Sequence, residues 1–507
     1  MQLATYITYK DIKGIDISYK ESIFYIKYIF QKYKRELILS FLGYLGVQLG
    51  LKNGIEISNG IQLKFGIKIN GFLIHSRSIL VLNQIFYETK QFNDQDESSK
   101  ITSNDIFNLF LYANQILTKT DTPTSGYKDG IITIGSLMTA MRMHIGLITP
   151  FELRLIEEIF KKFYNNLVES EKYKIFNDII IQETGITINK FIEILDNFEK
   201  RISVKGIFEL YDKFSVLRYE DIYLKWDNRI PLIKIPLDYR FMELFPLIKR
   251  NDNYYVASAV ILFMSTARKI YHVLSANNKT KDYFRSFWGK YIVEPVMKEY
   301  IKEIFGSDEV RIIDIDFQKV IGEEIADIII IHGDDIYLLE IKSGYMSLES
   351  RFSDDEILFK ENFEKKYILN TSGKHQLLNQ LDIFENKYDI ISKICELDKS
   401  TKYKVFSSLV VFDEAMSMLG FKRYLSKVFN DNLKPKLSGY TKFNPFLYSN
   451  LLTFVEILSF ERRIKNKKNR IYLLKALFNY HDSLWDFLDD IKDNKIKVDG
   501  ISKDDID

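Results

Sequence analysis

Beyond Thr149 apolar residues return every three or four positions, at Leu153, Ile156, Ile159, Phe160, Phe163 and Leu167, a spacing that predicts an amphipathic helix. Thr149, Pro150 and Glu152 predict its start: a hydroxyl N-cap, a proline where no N–H is needed, and a glutamate that returns the capping bond. Ser103 opens a second such run, with Ile106, Phe110, Ala113 and Leu117 on one side, and Thr118 to Gly130 has the composition of a loop. Leu37 to Leu51 is apolar nearly all round, yet it contains a Gln and is too short to cross a bilayer comfortably, so it reads as a buried helix. Residues 1–230 are thus expected to be mostly helical.

The pattern then changes. Pro231, Pro236 and Pro246 precede KRNDNYYVAS, and residues 231–275 read as a connecting segment with short strands and one helix, VILFMSTARKIYHVLSANN. Residues 276–507 read as an α/β domain with C-terminal helices. Its order is an amphipathic helix from Phe284 to Phe305, a strand at VRIIDIDFQ, two isoleucine- and leucine-rich strands, a polar connection from Ser347 to Lys366, a helix from about Ser372 through Ile391, and a strand at YKVFSSLVVFDE.

The two central strands pose the chemical question. In ADIIIIHGDDIYLLEIKSG, Ala326 to Gly344, a tight turn centred on Gly333 and Asp334 places Asp327 opposite Glu340. Side chains alternate along a strand, so Glu340, Lys342 and the cross-strand Asp327 share one face. Ile328 and Ile330 on one side, and Ile329, Ile331 and Leu338 on the other, predict helices packed on both faces of the sheet. Two carboxylates at a buried rim cost several kcal/mol each, roughly, and one lysine offsets a single charge. A divalent cation supplies the remainder, and hard oxygen ligands select Mg²⁺ or Mn²⁺. A cation so held lowers the pKa of a bound water and neutralises charge on a phosphodiester, while Lys342 either orients or deprotonates that water or stabilises the phosphorane.

Composition narrows the picture further. The chain of 507 residues is long enough for two or more domains, and 46% apolar with 28% charged residues is the balance of a folded protein. Seventy-one Lys and Arg against 69 Asp and Glu leave +2, so any nucleic acid is held by local patches and metal ions. The single Cys395 excludes an internal disulfide, a cysteine-based zinc site and an iron–sulfur cluster, and suits a reducing cytoplasm. Neither an export signal nor a membrane span is expected, so the localisation expected is cytoplasmic; no P-loop with Gly-Lys-Ser or Gly-Lys-Thr occurs. The basic run ERRIKNKKNR, Glu461 to Arg470, is read as a solvated segment rather than a phosphate-binding strip, and His332 and His375 are left out of the site.

Asp327 followed by Glu340-Ile341-Lys342 resembles the PD-(D/E)XK nuclease superfamily, which includes type II restriction enzymes, RecB-like nucleases and many anti-phage effectors. The resemblance spans about residues 280–415, with Ala326 where the family has proline. It implies a restriction-endonuclease-like α/β core, a central mixed sheet flanked by helices, and a magnesium-dependent endonuclease with DNA favoured over RNA. It also implies that Glu294, on the preceding helix, joins Asp327 and Glu340 as a metal ligand, and that Gln376, on the following helix, joins the catalytic set. Glu323 or Glu324 competes with Glu294 for the additional ligand place, and Gln376 has a purely structural alternative. The expected setting is restriction or anti-phage defence, with residues 1–230 serving recognition, regulation or assembly through a partner protein or homo-oligomer. The rival readings are a DNA repair or recombination nuclease and a catalytically silent nuclease-like scaffold.

Overall fold

In the computed structural model the Thr149 hydroxyl accepts the Glu152 N–H at 3.2 Å while the Glu152 carboxylate accepts the Thr149 N–H at 2.7 Å, and a helix runs over Pro150–Glu169. Its predicted apolar face is buried throughout. The structure describes residues 7–51, 73–98, 100–120, 133–143, 148–196, 198, 200, 247–250, 253–256, 258–346, 348–351, 355–370, 373–417, 420–478, 484–493, 495–498, 501 and 505–506. Most of the predicted 118–130 loop, the prolines at 231, 236 and 246 and the predicted helix start at Ser372 lie outside them.

Two compact units result, residues 1–126 with 142–281, and residues 127–141 with 282–507. The described part of the first is helical apart from one hairpin. Its helices include α1 (Arg35–Leu51), α2 (Ser103–Thr120), α3 (Pro150–Glu169) and α4 (Ala259–Ala276), with β1 (Leu247–Arg250) paired antiparallel to β2 (Asn253–Val256). Apolar on most sides, α1 buries Ile38, Leu39, Leu42, Leu45, Val47 and Leu49. The Asn114 side chain on α2 donates to the carbonyls of Ile7 and Leu73, each at 2.9 Å, which satisfies polar groups inside the helical core. Among the described residues no helix is long and apolar enough to cross a membrane.

The second unit is built on a mixed six-stranded sheet flanked by helices. Its elements include α5 (Glu294–Phe305), β3 (Val310–Ile313), β4 (Ile328–His332), β5 (Asp335–Lys342), α6 (Glu356–Phe363), α7 (Gln376–Asn386), β6 (Lys404–Val411), α8 (Phe421–Leu433), β7 (Asn444–Pro445), β8 (Asn450–Thr453), α9 (Phe454–Arg463) and α10 (Asn469–Leu477). The order β3-β4-β5-β6-β7 is antiparallel as far as β5 and parallel from there on, and β8 also pairs parallel with β6.

Gly333 turns the β4–β5 hairpin with φ +54°, a left-handed conformation that glycine adopts without a Cβ clash. Ile328 pairs with Leu339 and His332 with Asp335, the predicted register. Ile329, Ile331, Ile336 and Leu338 join Val405, Leu409 and Val411 of β6 in one core with α6, α7 and α8. Tyr337 on the opposite face stacks on Phe406 and tilts against Phe478, so apolar packing covers both faces.

Two segments differ from expectation. The strand at VRIIDIDFQ ends at Ile313, because Asp314 ion-pairs with Lys298 and Lys302 and the Asp316 side chain caps a short helix, Phe317–Ile321. The described part of the polar connection contains α6 and a π-helical turn, Glu364–Ile368. Asp355 caps α6, and Phe359, Phe363 and Tyr367, four residues apart, bury one stripe under otherwise polar surroundings.

Candidate active site

The hairpin ends in a cluster of ionisable groups. Asp327, one residue ahead of β4, donates its N–H to the Leu339 carbonyl at 3.0 Å, and its Oδ2 accepts the Ile341 N–H at 2.6 Å. The last ladder step thus pins this carboxylate across β5. Glu340 and Lys342 lie two residues apart on the same side of β5, and Lys342 Nζ meets Glu340 Oε1 at 2.6 Å. The other Glu340 oxygen accepts Nε2 of Gln380, on α7, at 2.7 Å.

Glu294 enters from α5. A π-helical turn, Trp288–Val293, precedes it, and Pro295 follows. Proline lacks an N–H and its ring crowds the carbonyl four residues back, which accounts for a widened turn at this point. Glu294 Oε1 holds Lys298 at 2.7 Å; Lys298 also reaches Asp314 at 3.1 Å, and Asp314 meets Lys302 at 2.7 Å.

These groups act on one another. Burial, then Glu340, then Glu294 push the Asp327 carboxyl well above the usual carboxylate range, against the Ile341 N–H and Lys298. Burial and Glu340 likewise raise Glu324. Burial disfavours the Lys342 ammonium, but the Glu340 contact, Asp327 and Glu324 outweigh it and raise its pKa, so Lys342 is a cation at neutral pH. Acids thus crowd one another here: Glu340 and Glu294 act on both Asp327 and Glu324, Asp316 acts on Glu324, and Lys342 and Lys298 oppose them.

Lys342 therefore meets Glu340, Asp327 bears on both electrostatically, and Glu294 bears on Asp327. Glu324 is drawn into the same field, whereas Glu323 is 3.5 Å from Lys387. The glutamine of the following helix that touches the acids is Gln380, not Gln376. Gln376 Nε2 donates to the Tyr367 carbonyl at 2.5 Å, and its Oε1 is buried with no partner among the described residues. The two glutamines sit one helical turn apart on the same side of α7, and the docking of α7 on the sheet brings the second to Glu340. The Gln376/Gln380 spacing is a signal visible in the sequence; which turn reaches the acids is not. His375 packs edge-on against Phe429 and burial lowers its pKa to about 4, while the His332 ring lies against Tyr472. In the basic run Arg470 is buried and donates to the carbonyls of Ile464, Ile304 and Glu461, so it ties α10 to α9 and α5.

A cleft of about 720 Å³ opens beside the acids, lined among others by Glu324, Glu340, Lys342, Lys365, Lys366, Gln376 and Gln380. Among the described residues no three His, Cys, Asp or Glu side chains stand in metal-holding geometry. Asp327 and Glu340 do suit a hard dication, which needs only one or two protein carboxylates and keeps several waters. Comparison with protein-family models, curated proteins and solved structures finds no match to this chain.

Proposed function

We propose that this chain is a Mg²⁺- or Mn²⁺-dependent nuclease of the PD-(D/E)XK kind, hydrolysing phosphodiester bonds in nucleic acid with DNA favoured. The observation that supports this reading above others is the raised Asp327 carboxyl, locked by its Ile341 bond and acted on by Glu340, which lines a cleft together with its partners Lys342 and Gln380. A buried acid forced against like charges needs a cation or a proton.

Asp327 and Glu340 are the residues that would hold the dication, with Glu294 as a further acid in the same field. When bound, such an ion supplies a more acidic water and neutralises charge on the phosphodiester. Gln380 fixes the direction of Glu340 through its bond to Oε2. Lys342, held protonated, donates to a non-bridging phosphate oxygen or to the attacking water and offsets charge in the transition state; in this state it is not a base. Restriction or anti-phage defence is the setting we favour, by analogy with the family.

One observation favours a silent scaffold instead: Lys342 and Gln380 already satisfy both oxygens of Glu340. Incubating the protein with plasmid, linear duplex, single strands and RNA, in Mg²⁺, Mn²⁺ or EDTA, decides between them. Metal-dependent cleavage that Lys342→Ala lowers by about 100-fold or more supports the enzyme. Equal cutting by wild type and variant removes the site assignment, and no cutting on any substrate favours the scaffold.

A further inference from the structure

The chain leaving β5 runs past the π-helical turn Glu364–Ile368, and there the Lys366 ammonium donates to the Tyr345 carbonyl. A Cβ on Gly344 would lie 2.7 Å from Lys366 Nζ, so glycine at that position leaves the ammonium its place. Lys366 also lines the cleft that holds Glu340 and Lys342.

Its pairing sets it apart from the three lysines that accompany the acids. Lys298, Lys302 and Lys342 each rest on a carboxylate within 3.1 Å. Lys366 has a neutral carbonyl and, among the described residues, no ion pair. Asp413, the acid that acts on it, is already engaged: Oδ1 by Arg351 in a buried ion pair, Oδ2 by the Met346 N–H at 3.0 Å and the Tyr367 hydroxyl at 3.2 Å. A partly buried ammonium without a counter-ion, in the wall of an open cleft, is a site prepared for an anion.

We infer that Lys366 forms a second phosphate subsite of this cleft, binding a backbone phosphate other than the one presented to Asp327, Glu340 and Lys342. The inference rests on the nuclease reading for the identity of its ligand. A lysine is a compact point charge that suits phosphate without reading bases, so this contact adds affinity and register but no sequence preference. Burial pushes the Lys366 ammonium down to about 8, with Asp413 opposing and Arg351 and Arg285 reinforcing the fall, and an arriving phosphate supplies the charge that is missing.

The test measures binding of labelled single-stranded and duplex oligonucleotides in EDTA across a salt series, and cleavage kinetics in Mg²⁺. Lys366→Met is expected to weaken binding several-fold on every sequence, reduce the slope of log affinity against log salt by about 1, and raise KM more than it lowers kcat. Lys366→Arg is expected to retain the slope. Gly344→Ala keeps the charge but displaces it, and is expected to weaken binding like Lys366→Met. Wild-type slope and KM in Lys366→Met overturn the subsite while leaving a cleaving enzyme intact. Binding with a Lys366-dependent slope but no cleavage by wild type in any metal supports the subsite and sinks the nuclease reading. Inorganic phosphate that raises Tm through Lys366, with oligonucleotides ineffective, identifies free phosphate as the ligand and overturns the nucleic-acid subsite.

Discussion

Replacing Asp327 by asparagine should stabilise the metal-free protein at neutral pH. Its carboxyl titrates well above the usual range in the folded chain, owing to burial and to Glu340 and Glu294. Between the unfolded and folded pKa values the folded state holds a proton that the unfolded state has lost, so this site's stability contribution falls as pH rises through that window. Once ionised, Asp327 carries a penalty that an amide does not. The side-chain amide oxygen of the variant can still accept the Ile341 N–H, a bond of 2.6 Å in the wild type, so little is lost in exchange. Relief of an incompletely compensated buried group is worth about 1–3 kcal/mol, and about 2–4 °C of Tm per kcal/mol follows for a unit of this size. Saturating metal works in the opposite sense: at a hundredfold excess over Kd it adds about 2.7 kcal/mol to the wild type and should add little to Asp327→Asn. Calorimetry in EDTA and in Mg²⁺ or Mn²⁺, from acid to mildly alkaline pH, reads both effects. A variant less stable than wild type in EDTA at neutral pH, or one that gains as much from metal, would refute the argument from a buried, crowded Asp327 carboxyl.

Three further perturbations probe the same framework. Gln380→Ala releases one Glu340 oxygen and should lower metal affinity or cleavage by about 10–100-fold, measured by metal titration of the rate; Gln376→Ala, which loses the Tyr367 carbonyl contact, should affect the rate less. Lys422→Met strands Glu456 of a fully buried pair at 2.6 Å and should cost about 3–5 kcal/mol in denaturant unfolding, whereas replacing both partners by apolar residues should recover much of it. Asp413→Ala removes the partner of buried Arg351 and frees the Met346 N–H, with a similar cost; if its unfolding midpoint is unchanged, the network does not hold the turn after β5.

The local devices of this chain are legible in its order of residues. Thr149-Pro150-Phe151-Glu152 predicts a helix start because every partner of the capping box lies within four residues. Gly333 between two runs of period two sets the hairpin register, and the register carries Asp327, Glu340 and Lys342 to one face. The helix from Glu356 to Phe363 is harder to read, since its polar composition resembles a loop and its aromatic stripe gains meaning only against the core it joins.

What the sequence determined by itself is therefore what short-range sterics and alternation determine: caps, the hairpin turn, and which side chains share a strand face. Only the tertiary structure decided that β5 pairs in parallel with the sequence-distant β6, that Gln380 rather than Gln376 meets Glu340, and that Lys366 stands, among the described residues, without a carboxylate while Asp413 is taken by Arg351. Those outcomes depend on how helices dock on the sheet and on charges distant in sequence, and a proton or a cation responds to the summed field of all of them rather than to its neighbours along the chain.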